Sequence, residues 1–370
     1  MSEWDAAERE AYLAVALVPG VGHARLHSLL ACFETPSRVL AAPLARLGEV
    51  PGLPAEVASE VSRADRGAAK RALTLLRASG GRLLLPGDPR FPALLNTIPD
   101  PPTYLFLQGN LELLAGPAVA IVGSRDHTHY GAEVCRSLAR AAAEAGLVVV
   151  SGMARGLDAI AHAGALEGNG GTIGVLGNGL GVIYPASNRG LYEEVATRGL
   201  LLTECPPGQG PGPGSFPRRN RLISGLARIT VVVEAAITSG ALQTSRWALN
   251  QGRDVLAVPG PITSAVSFGT NDLIRDGAAP LLELADLLCH YRELTKGKAT
   301  LSAAGPTRKP LEQKLLNALQ LEPLQAEQLV ELSGAPVSDA LDALSALELC
   351  GKVQQAAGGQ YRLAAVGLFK

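Results

Sequence analysis

The sequence predicts an α/β protein whose doubly wound parallel sheet is flanked by a helical N-terminal domain and a C-terminal winged-helix domain. A chain of 370 residues is too long for one ordinary core, so two or three domains are expected. In the middle of the chain, short β-branched apolar runs alternate with helical stretches, which is the pattern of strand–helix–strand units. A small, polar and basic stretch, 296–309, separates this region from a final region of three helical patterns and two short strands.

The domain boundaries follow from these changes of pattern. Residues before about 80 read as helices joined by short turns, and the basic stretch reads as a flexible linker. We therefore expect a helical domain over 1–80, a Rossmann-like domain over 81–292, a linker over 293–309 and a winged-helix-like domain over 310–370.

The N-terminal region contains two similar glycine turns, Val18–Gly22 and Val50–Pro54, each followed by an apolar-periodic helix. The helices are expected over Leu26–Phe33 and Ala55–Ala64. A glycine turn that opens a helix exposes backbone N–H groups to an anion, and the pair resembles a helix-hairpin-helix or SAM-like module. The second turn lacks the second glycine, so DNA contact and protein contact both remain open for this domain.

In the middle region, every strand-to-helix turn of a right-handed doubly wound sheet lies at one edge, where such folds bind ligands. The predicted strands are Val119–Val122, Leu147–Val150, Thr172–Leu176, Leu200–Thr203, Ile229–Val233 and Val255–Val258. The predicted helices between them are Gly131–Ala145, Asp158–Glu167, Arg189–Thr197 and Ala241–Asn250.

The C-terminal region has the order of a winged helix. Its last helix would be the recognition helix of a DNA reader, but it carries Asp339, Asp342 and Glu348 and no arginine or lysine. Phosphate repels an acidic face, so this domain is expected to contact protein. The predicted elements are helices Leu311–Leu319, Gln325–Leu332 and Val337–Leu349 and strands Val353–Gln355 and Gln360–Leu363.

Several classes of function are disfavoured by the composition. The five cysteines are far apart and no C-x-x-C is present, which argues against disulfides and zinc and favours a reducing cytoplasm. His127 and His129 are the nearest approach to a metal-ligand grouping, and no metal or cofactor is expected. The acidic N-terminus lacks a signal-peptide pattern, and no apolar run approaches the ~20 residues that span a bilayer. A cytoplasmic protein without membrane contact is therefore expected.

The turns of the middle region suit phosphate groups better than nucleotide cofactors. The first turn, Gly123-Ser124-Arg125, lacks the G-x-G-x-x-G dinucleotide pattern but offers close approach, a hydroxyl and a guanidinium fork. No lysine occurs between Lys70 and Lys296, so a Walker A loop is excluded there. The other candidate anion-binding residues on these turns are Arg155, Arg189, Ser239 and Gly240.

An acid-free arginine string is the most specific feature. The net charge of the chain is −1, yet 205–233 contains no Asp or Glu. Arginines neutralise phosphates and aromatic rings stack on bases, which is the composition of single-strand binding sites. The alternative is that the aromatic ring is buried and the arginines pair with acids such as Glu204 and Glu234. The candidate residues of the string are Phe216, Arg218, Arg219, Asn220 and Arg221.

Taken in order, these strings closely resemble the DprA/Smf family. The resemblance rests on Val122–Arg125, Ser151–Asp158, Tyr184-Pro185, Phe216–Arg221, Glu234 with Thr238–Gly240, Val258–Gly260 and Gly269–Asn271. It implies a protein of natural transformation that binds single-stranded DNA, forms a homodimer through its Rossmann-like domain and loads RecA. The family's basic DNA-contact positions correspond to Arg125, Arg189 and the Arg219–Arg221 group. The family often has a lysine before the Phe-Pro pair, where this chain has Pro213-Gly214.

The alternative function is enzymatic. The sheet is also similar to that of lysine-decarboxylase-like phosphoribohydrolases, which cleave nucleotides with a glycine loop and a glutamate. Glu234 followed by Ser239-Gly240 is a partial match, but the glycine loop is missing and the arginine string is unexplained. The sequence therefore favours a DNA-binding mediator that is not an enzyme.

Overall fold

The computed structural model of the protein describes residues 4–168, 170–295, 308–319, 323–349, 353–355 and 360–363. Most of the predicted linker lies outside these residues. The chain divides into two compact units, Met1–Leu284 and Ala285–Lys370. Among the described residues, no helix is both long enough and apolar enough to cross a membrane.

Six helices precede the sheet. The first and third begin at side-chain caps, since Asp5 accepts from Glu8 N and Thr35 accepts from Arg38 N. Gly20 and Gly52 occupy the two predicted turns with φ of 85° and 75°, a region that glycine adopts without strain. The helices are α1 (Ala6–Ala16), α2 (His23–Phe33), α3 (Pro36–Ala41), α4 (Leu44–Leu47), α5 (Ala55–Ser62) and α6 (Gly67–Ala78).

A nine-stranded sheet forms the centre of the first unit. Its strands are β1 (Arg82–Leu84), β2 (Leu105–Gly109), β3 (Ala118–Val122), β4 (Val148–Ser151), β5 (Thr172–Val175), β6 (Leu200–Thr203), β7 (Ile229–Val232), β8 (Asp254–Ala257) and β9 (Ala279–Pro280). Their order is β1-β2-β6-β5-β4-β3-β7-β8-β9, parallel from β6 to β9, with β2 antiparallel to both of its neighbours. The predicted parallel sheet is confirmed, and the antiparallel edge formed by β1 and β2 is an addition to it.

Side chains alternate between two cores along each strand. Leu200 and Leu202 face one core, together with residues of the helices on that side, such as Leu222 and Ala248. Leu201 faces the other core. The helices of this region are α7 (His129–Glu144), α8 (Leu157–Glu167), α9 (Arg189–Arg198), α10 (Ser215–Gly225), α11 (Gly240–Asn250) and α12 (Phe268–Arg275).

The N-terminal helices share the second of these cores with the sheet. Leu13 from α1 and Leu76 from α6 belong to the same buried cluster as Phe106 from β2 and Leu201 from β6. The α1 and α6 helices are thus packed on one face of the sheet, and burial of these apolar side chains stabilises both parts together.

The second unit confirms the predicted winged helix. Its elements are α13 (Leu284–Thr295), α14 (Arg308–Ala318), β10 (Leu324–Gln325), α15 (Ala326–Ser333), α16 (Val337–Leu349), β11 (Val353–Gln355) and β12 (Gln360–Leu363). The strands pair in the order β10-β12-β11, and Leu315, Leu329 and Leu344 lie in the core. Asp339 and Asp342 on α16 are exposed, as the pattern predicts, and contact with protein stays a prediction.

Candidate nucleic-acid site

A cavity of about 410 Å³ opens at the edge of the sheet where the parallel strands end, hereafter the carboxyl edge. We call it the main cavity. The turns after β3, β4 and β7 meet the first turns of α10 and α11 there. The predicted site residues in its lining are Gly123, Ser124, Arg125, Phe216, Arg219, Asn220, Ser239 and Gly240.

The turn after β3 is closely packed and presents the exposed side chain of Arg125. A side chain at Gly123 would collide with Leu157, so only glycine fits. Ser124 donates its hydroxyl to Asp126 O at 2.6 Å and accepts from Asp126 N at 3.2 Å, so this hydroxyl shapes the turn. Arg125 is exposed and makes no hydrogen bond or ion pair within the described part of the chain. Its guanidinium is available to a phosphate.

Two buried charged side chains, Asp158 and Arg219, lie in the lining of the main cavity. Asp158 accepts hydrogen bonds from the backbone N–H groups of Ala154, Gly123 and Gly152, which ties the turns after β3 and β4 together. Arg219 is 7% exposed and donates to Gly152 O at 2.6 Å and to Val175 O. Burial lowers the pKa of Arg219 to about 10, and the charge of Asp158 offsets part of that shift. Arg219 remains a cation, held in place by the protein.

A second cavity of about 280 Å³ adjoins the main cavity and has aromatic walls. We call it the aromatic cavity. Its lining includes Tyr184 and Phe216, whose ring centroids are 5.3 Å apart, and it shares Phe216 and Arg125 with the main cavity. Phe216 lies over Gly177, where a side chain would occupy the space of the ring. Arg155 also lines the aromatic cavity and pairs with exposed Asp126 at 3.0 Å.

Three predicted site residues do not line either cavity. Arg189 is exposed on the first turn of α9, 3.9 Å from Glu193. Arg218 is exposed on α10. Arg221 is 2% exposed: its guanidinium donates to both Glu204 oxygens, at 2.6 and 2.8 Å, and to Asp100 at 3.0 Å. Carboxylates occupy this guanidinium, and no surface is left on it for a phosphate.

Some residues of the site were not predicted from the sequence. Tyr184 belongs to a string that resembles the family but was not assigned to the site. Asp126 directly follows the predicted phosphate turn, and its pairing with Arg155 spans 29 residues of sequence. The sequence signal for Tyr184 was its position in the loop after a predicted strand. Its proximity to Phe216 is revealed only by the fold.

Glu234, the residue that the enzymatic alternative requires, is buried and holds two elements of the fold together. It is 2% exposed, and its carboxylate accepts from Thr128 N at 2.9 Å and from Thr128 Oγ1 at 2.5 Å. These hydrogen bonds tie β7 to the start of α7. A side chain on Gly131 would collide with this carboxylate, so the space around it is filled. Glu234 does not line the main cavity.

Comparison with known proteins places this architecture in a family. Residues 82–292 match the family described as DNA recombination-mediator protein A, and residues 299–359 match the DprA winged helix domain. A relative, Protein Smf of Synechocystis sp., is 33% identical over 96% of this chain and 98% of its own length. The DNA processing protein DprA of Streptococcus pneumoniae is 42% identical over 55% of this chain and 72% of its own length.

Two solved structures are similar as well. The X-ray structure of DprA from Streptococcus pneumoniae has a TM-score of 0.67 at 33% identity, covering 75% of this chain and 96% of that one. A structure of DprA from Helicobacter pylori, described as revealing a unique single-stranded DNA binding mode, has a TM-score of 0.53 at 32% identity. It covers 59% of this chain and 97% of its own. The family model matches residues 82–292, which is more than half of the chain, and Protein Smf of Synechocystis sp. aligns with nearly the whole chain. This chain therefore belongs to the DNA recombination-mediator protein A family, also called DprA or Smf.

Proposed function

We propose that this protein binds single-stranded DNA across the main and aromatic cavities and acts as a recombination mediator. The observation that carries the proposal is the free guanidinium of Arg125, which lines both cavities. It lies between a phosphate-suited turn, with Arg219 in the same cavity lining, and a pair of aromatic rings, Tyr184 and Phe216. The relative from Helicobacter pylori, whose structure is described by its single-stranded DNA binding mode, supports the same ligand.

The arrangement favours a single strand over a duplex. An aromatic ring stacks only on a base that is free of its partner strand, whereas a phosphate can be bound in either form. In this protein the aromatic cavity is adjacent to the main cavity, with Phe216 as a shared wall. A strand whose phosphate contacts Arg125 therefore has a base within reach of Tyr184 and Phe216.

The partners follow from the family and from the surface. We propose that the protein loads RecA, forms a homodimer through the Rossmann-like domain and works in the cytoplasm. Leu249 and Ile262 are exposed apolar side chains that line neither cavity, at 58% and 84% exposure, and are candidates for protein contact. A surface separate from the arginines allows DNA to stay bound while it is transferred.

Arg125→Ala is expected to weaken binding of an oligothymidylate and to lower its salt dependence. If Arg125 neutralises one phosphate, the slope of log affinity against log salt concentration falls by about 0.7. Fluorescence anisotropy over a series of salt concentrations measures this slope. The matched control is Arg63→Ala, which removes an exposed arginine that pairs with Glu60 on α5. Equal slopes in the Arg125 variant and the native protein would show that the main cavity is not the phosphate site.

Tyr184→Ala provides a contrast within the same experiment. Stacking involves no counterion release, so this variant should lose affinity, by about 1–3 kcal/mol for one base, while its salt slope stays native. A slope that fell as in the Arg125 variant would argue against stacking at Tyr184.

We also propose that the protein is not a nucleotide-cleaving enzyme. The carboxylate of Glu234 is buried and bonded to Thr128, so it is not free to act on a substrate in the main cavity. Native protein incubated with nucleoside 5′-monophosphates should therefore release no free base, as followed by chromatography. Base release by native protein that disappears in Glu234→Gln would instead establish the phosphoribohydrolase alternative.

A further inference from the structure

A third cavity, of about 320 Å³, lies between α1, the end of α6 and β1. We call it the N-terminal cavity. It is remote in sequence from the arginine string, and the proposed function does not use it. Four arginines line it, together with two carboxylates: Arg9, Arg77, Arg82, Arg90, Glu10 and Asp88.

Both carboxylates already have arginine partners. Asp88 accepts from Arg9 at 3.0 and 3.3 Å and from the backbone N–H of Leu85 at 2.8 Å. Glu10 lies 3.8 Å from Arg66, which is outside the cavity lining. Arg9 and Arg66 therefore offset the two negative charges in the cavity, which leaves Arg77, Arg82 and Arg90.

The remaining arginines are exposed at the rim of the cavity, and Arg90 is near enough to Asp88 for its charge to help lower the pKa of that carboxyl, after Arg9. Arg77, Arg82 and Arg90 are exposed, and in the described part of the chain their guanidinium groups make no hydrogen bond or ion pair. Three like charges around one cavity repel each other, and an anion between them relieves that repulsion. The planar guanidinium fork suits oxyanions, phosphate above all.

The topology of the sheet brings this cavity to the carboxyl edge. β1 is antiparallel to β2, which is antiparallel to β6, so β1 runs parallel to β6. Arg82 pairs with Leu107 of β2, which pairs with Leu202, the next-to-last residue of β6, so Arg82 lies near the same edge as the main cavity. β1 is five places in the strand order from β3, the strand before Arg125, which corresponds to about 24 Å at about 4.8 Å per strand.

Arg218 lies between the two cavities along this edge. Tyr104 precedes β2 and Cys205 follows β6, so both are at the carboxyl edge. Burial raises the pKa of Cys205 and of Tyr104, and the nearby charge of Arg218 offsets part of each rise. The exposed guanidinium of Arg218 thus continues a line of arginines from the main cavity toward β1.

We propose that the N-terminal cavity is a second phosphate-binding site, which holds a more distant part of the same DNA strand. The proposal rests on the proposed function at the main cavity and adds a length requirement to it. A strand that reaches both cavities places phosphates at Arg125 and at Arg77, Arg82 and Arg90, with Arg218 between them. At about 3.4 Å per stacked nucleotide, the separation corresponds to roughly seven nucleotides, within the range of known single-strand sites.

The test is a length series of oligothymidylates from about 4 to about 24 nucleotides, bound to the full chain. In native protein the affinity should rise when the strand becomes long enough to reach the second cavity. The triple variant Arg77→Ala/Arg82→Ala/Arg90→Ala should bind the shortest strands like native protein and lack that rise. On long strands its salt slope should fall by about 0.7 for each phosphate that the variant no longer neutralises.

The matched control removes the same charge elsewhere in the N-terminal helical region. Arg38, Arg46 and Arg63 are exposed arginines that pair with Glu34, Glu49 and Glu60, and their triple alanine variant should keep the native length dependence. An equal loss of affinity in both triple variants would mean a general charge effect and would overturn the second site.

The remaining outcomes separate the two proposals. If native protein binds strands and the cavity variant matches it at every length, the second site is wrong and the proposed function stands. If native protein binds no strand at all, the proposed function fails and the second site fails with it. If the cavity variant loses binding of a polyglutamate peptide but keeps native DNA binding, the cavity docks an acidic protein segment, and the phosphate site is wrong.

Discussion

Replacing Arg221 by alanine is expected to lower the free energy of unfolding by about 3–5 kcal/mol, the usual effect of removing one partner of a buried ion pair. Arg221 is 2% exposed and holds both oxygens of Glu204, whose side chain is 16% exposed. Without the guanidinium, the Glu204 carboxyl group lies in a largely dehydrated position that has lost the cation now opposite it. Urea denaturation followed by circular dichroism measures the change.

Arg218→Ala is the matched control for this prediction. Arg218 is on the same helix, three residues earlier, but it is exposed, so its removal should change stability by less than about 0.5 kcal/mol. The folded Arg221 variant should keep the native salt slope of DNA binding, because its guanidinium contacts no phosphate. Native stability combined with a lowered salt slope would show that Arg221 contacts DNA, as the sequence alone had suggested.

Acid is expected to destabilise the native protein through His162. Burial and, next, the charge of Arg219 lower the pKa of His162 from 6.5 to about 3. Its Nδ1 donates to Thr172 Oγ1 at 2.7 Å, since that hydroxyl donates its own proton to Val149 O. The unfolded chain therefore binds a proton below pH 6.5 that the folded protein does not bind. Stability from this group is present above pH 6.5 and is lost as the pH falls from 6.5 to about 3.

The expected slope from His162 is about 1.4 kcal/mol per pH unit within that window. It is measured as the difference between the native protein and His162→Gln in urea denaturation at several pH values. His27→Gln is the control, because His27 is exposed on α2 and its removal should leave the native pH dependence. A His162 variant with the same pH dependence as native protein would contradict the assignment of the buried neutral histidine.

The central strands of the sheet could be predicted because each is a buried parallel strand and reads as a short run of mostly apolar and β-branched residues. Val148–Ser151 and Ile229–Val232 are completely buried, and the sequence signal matches them within a residue. The edge strands gave no such signal. Arg82–Leu84 has three residues and changes from exposed to buried along its length, and Ala279–Pro280 has two. Strands this short have no periodicity to detect.

The arginine string shows which part of the site the sequence could not predict. Arg218, Arg219 and Arg221 are close in sequence, but on a helix they point in three directions. Arg218 reaches solvent, Arg219 lines the main cavity and Arg221 enters the interior. Arg221 pairs with Glu204, which is 17 residues away in sequence, and with Asp100, which is 121 residues away. Composition identified the string as cationic, and only the tertiary structure separates cations free to bind a ligand from cations already paired.

The core shared by the N-terminal helices and the sheet has a consequence for how modular this protein is. Leu13 and Leu76 cover Phe106 and Leu201, which are completely buried. Without the first 80 residues, these two side chains would face water on a broad apolar surface, and such surfaces promote aggregation. The N-terminal region is thus joined to the sheet as part of one folding unit. Deleting it tests whether the sheet can remain soluble alone, whereas point substitutions at its surface test what the region does.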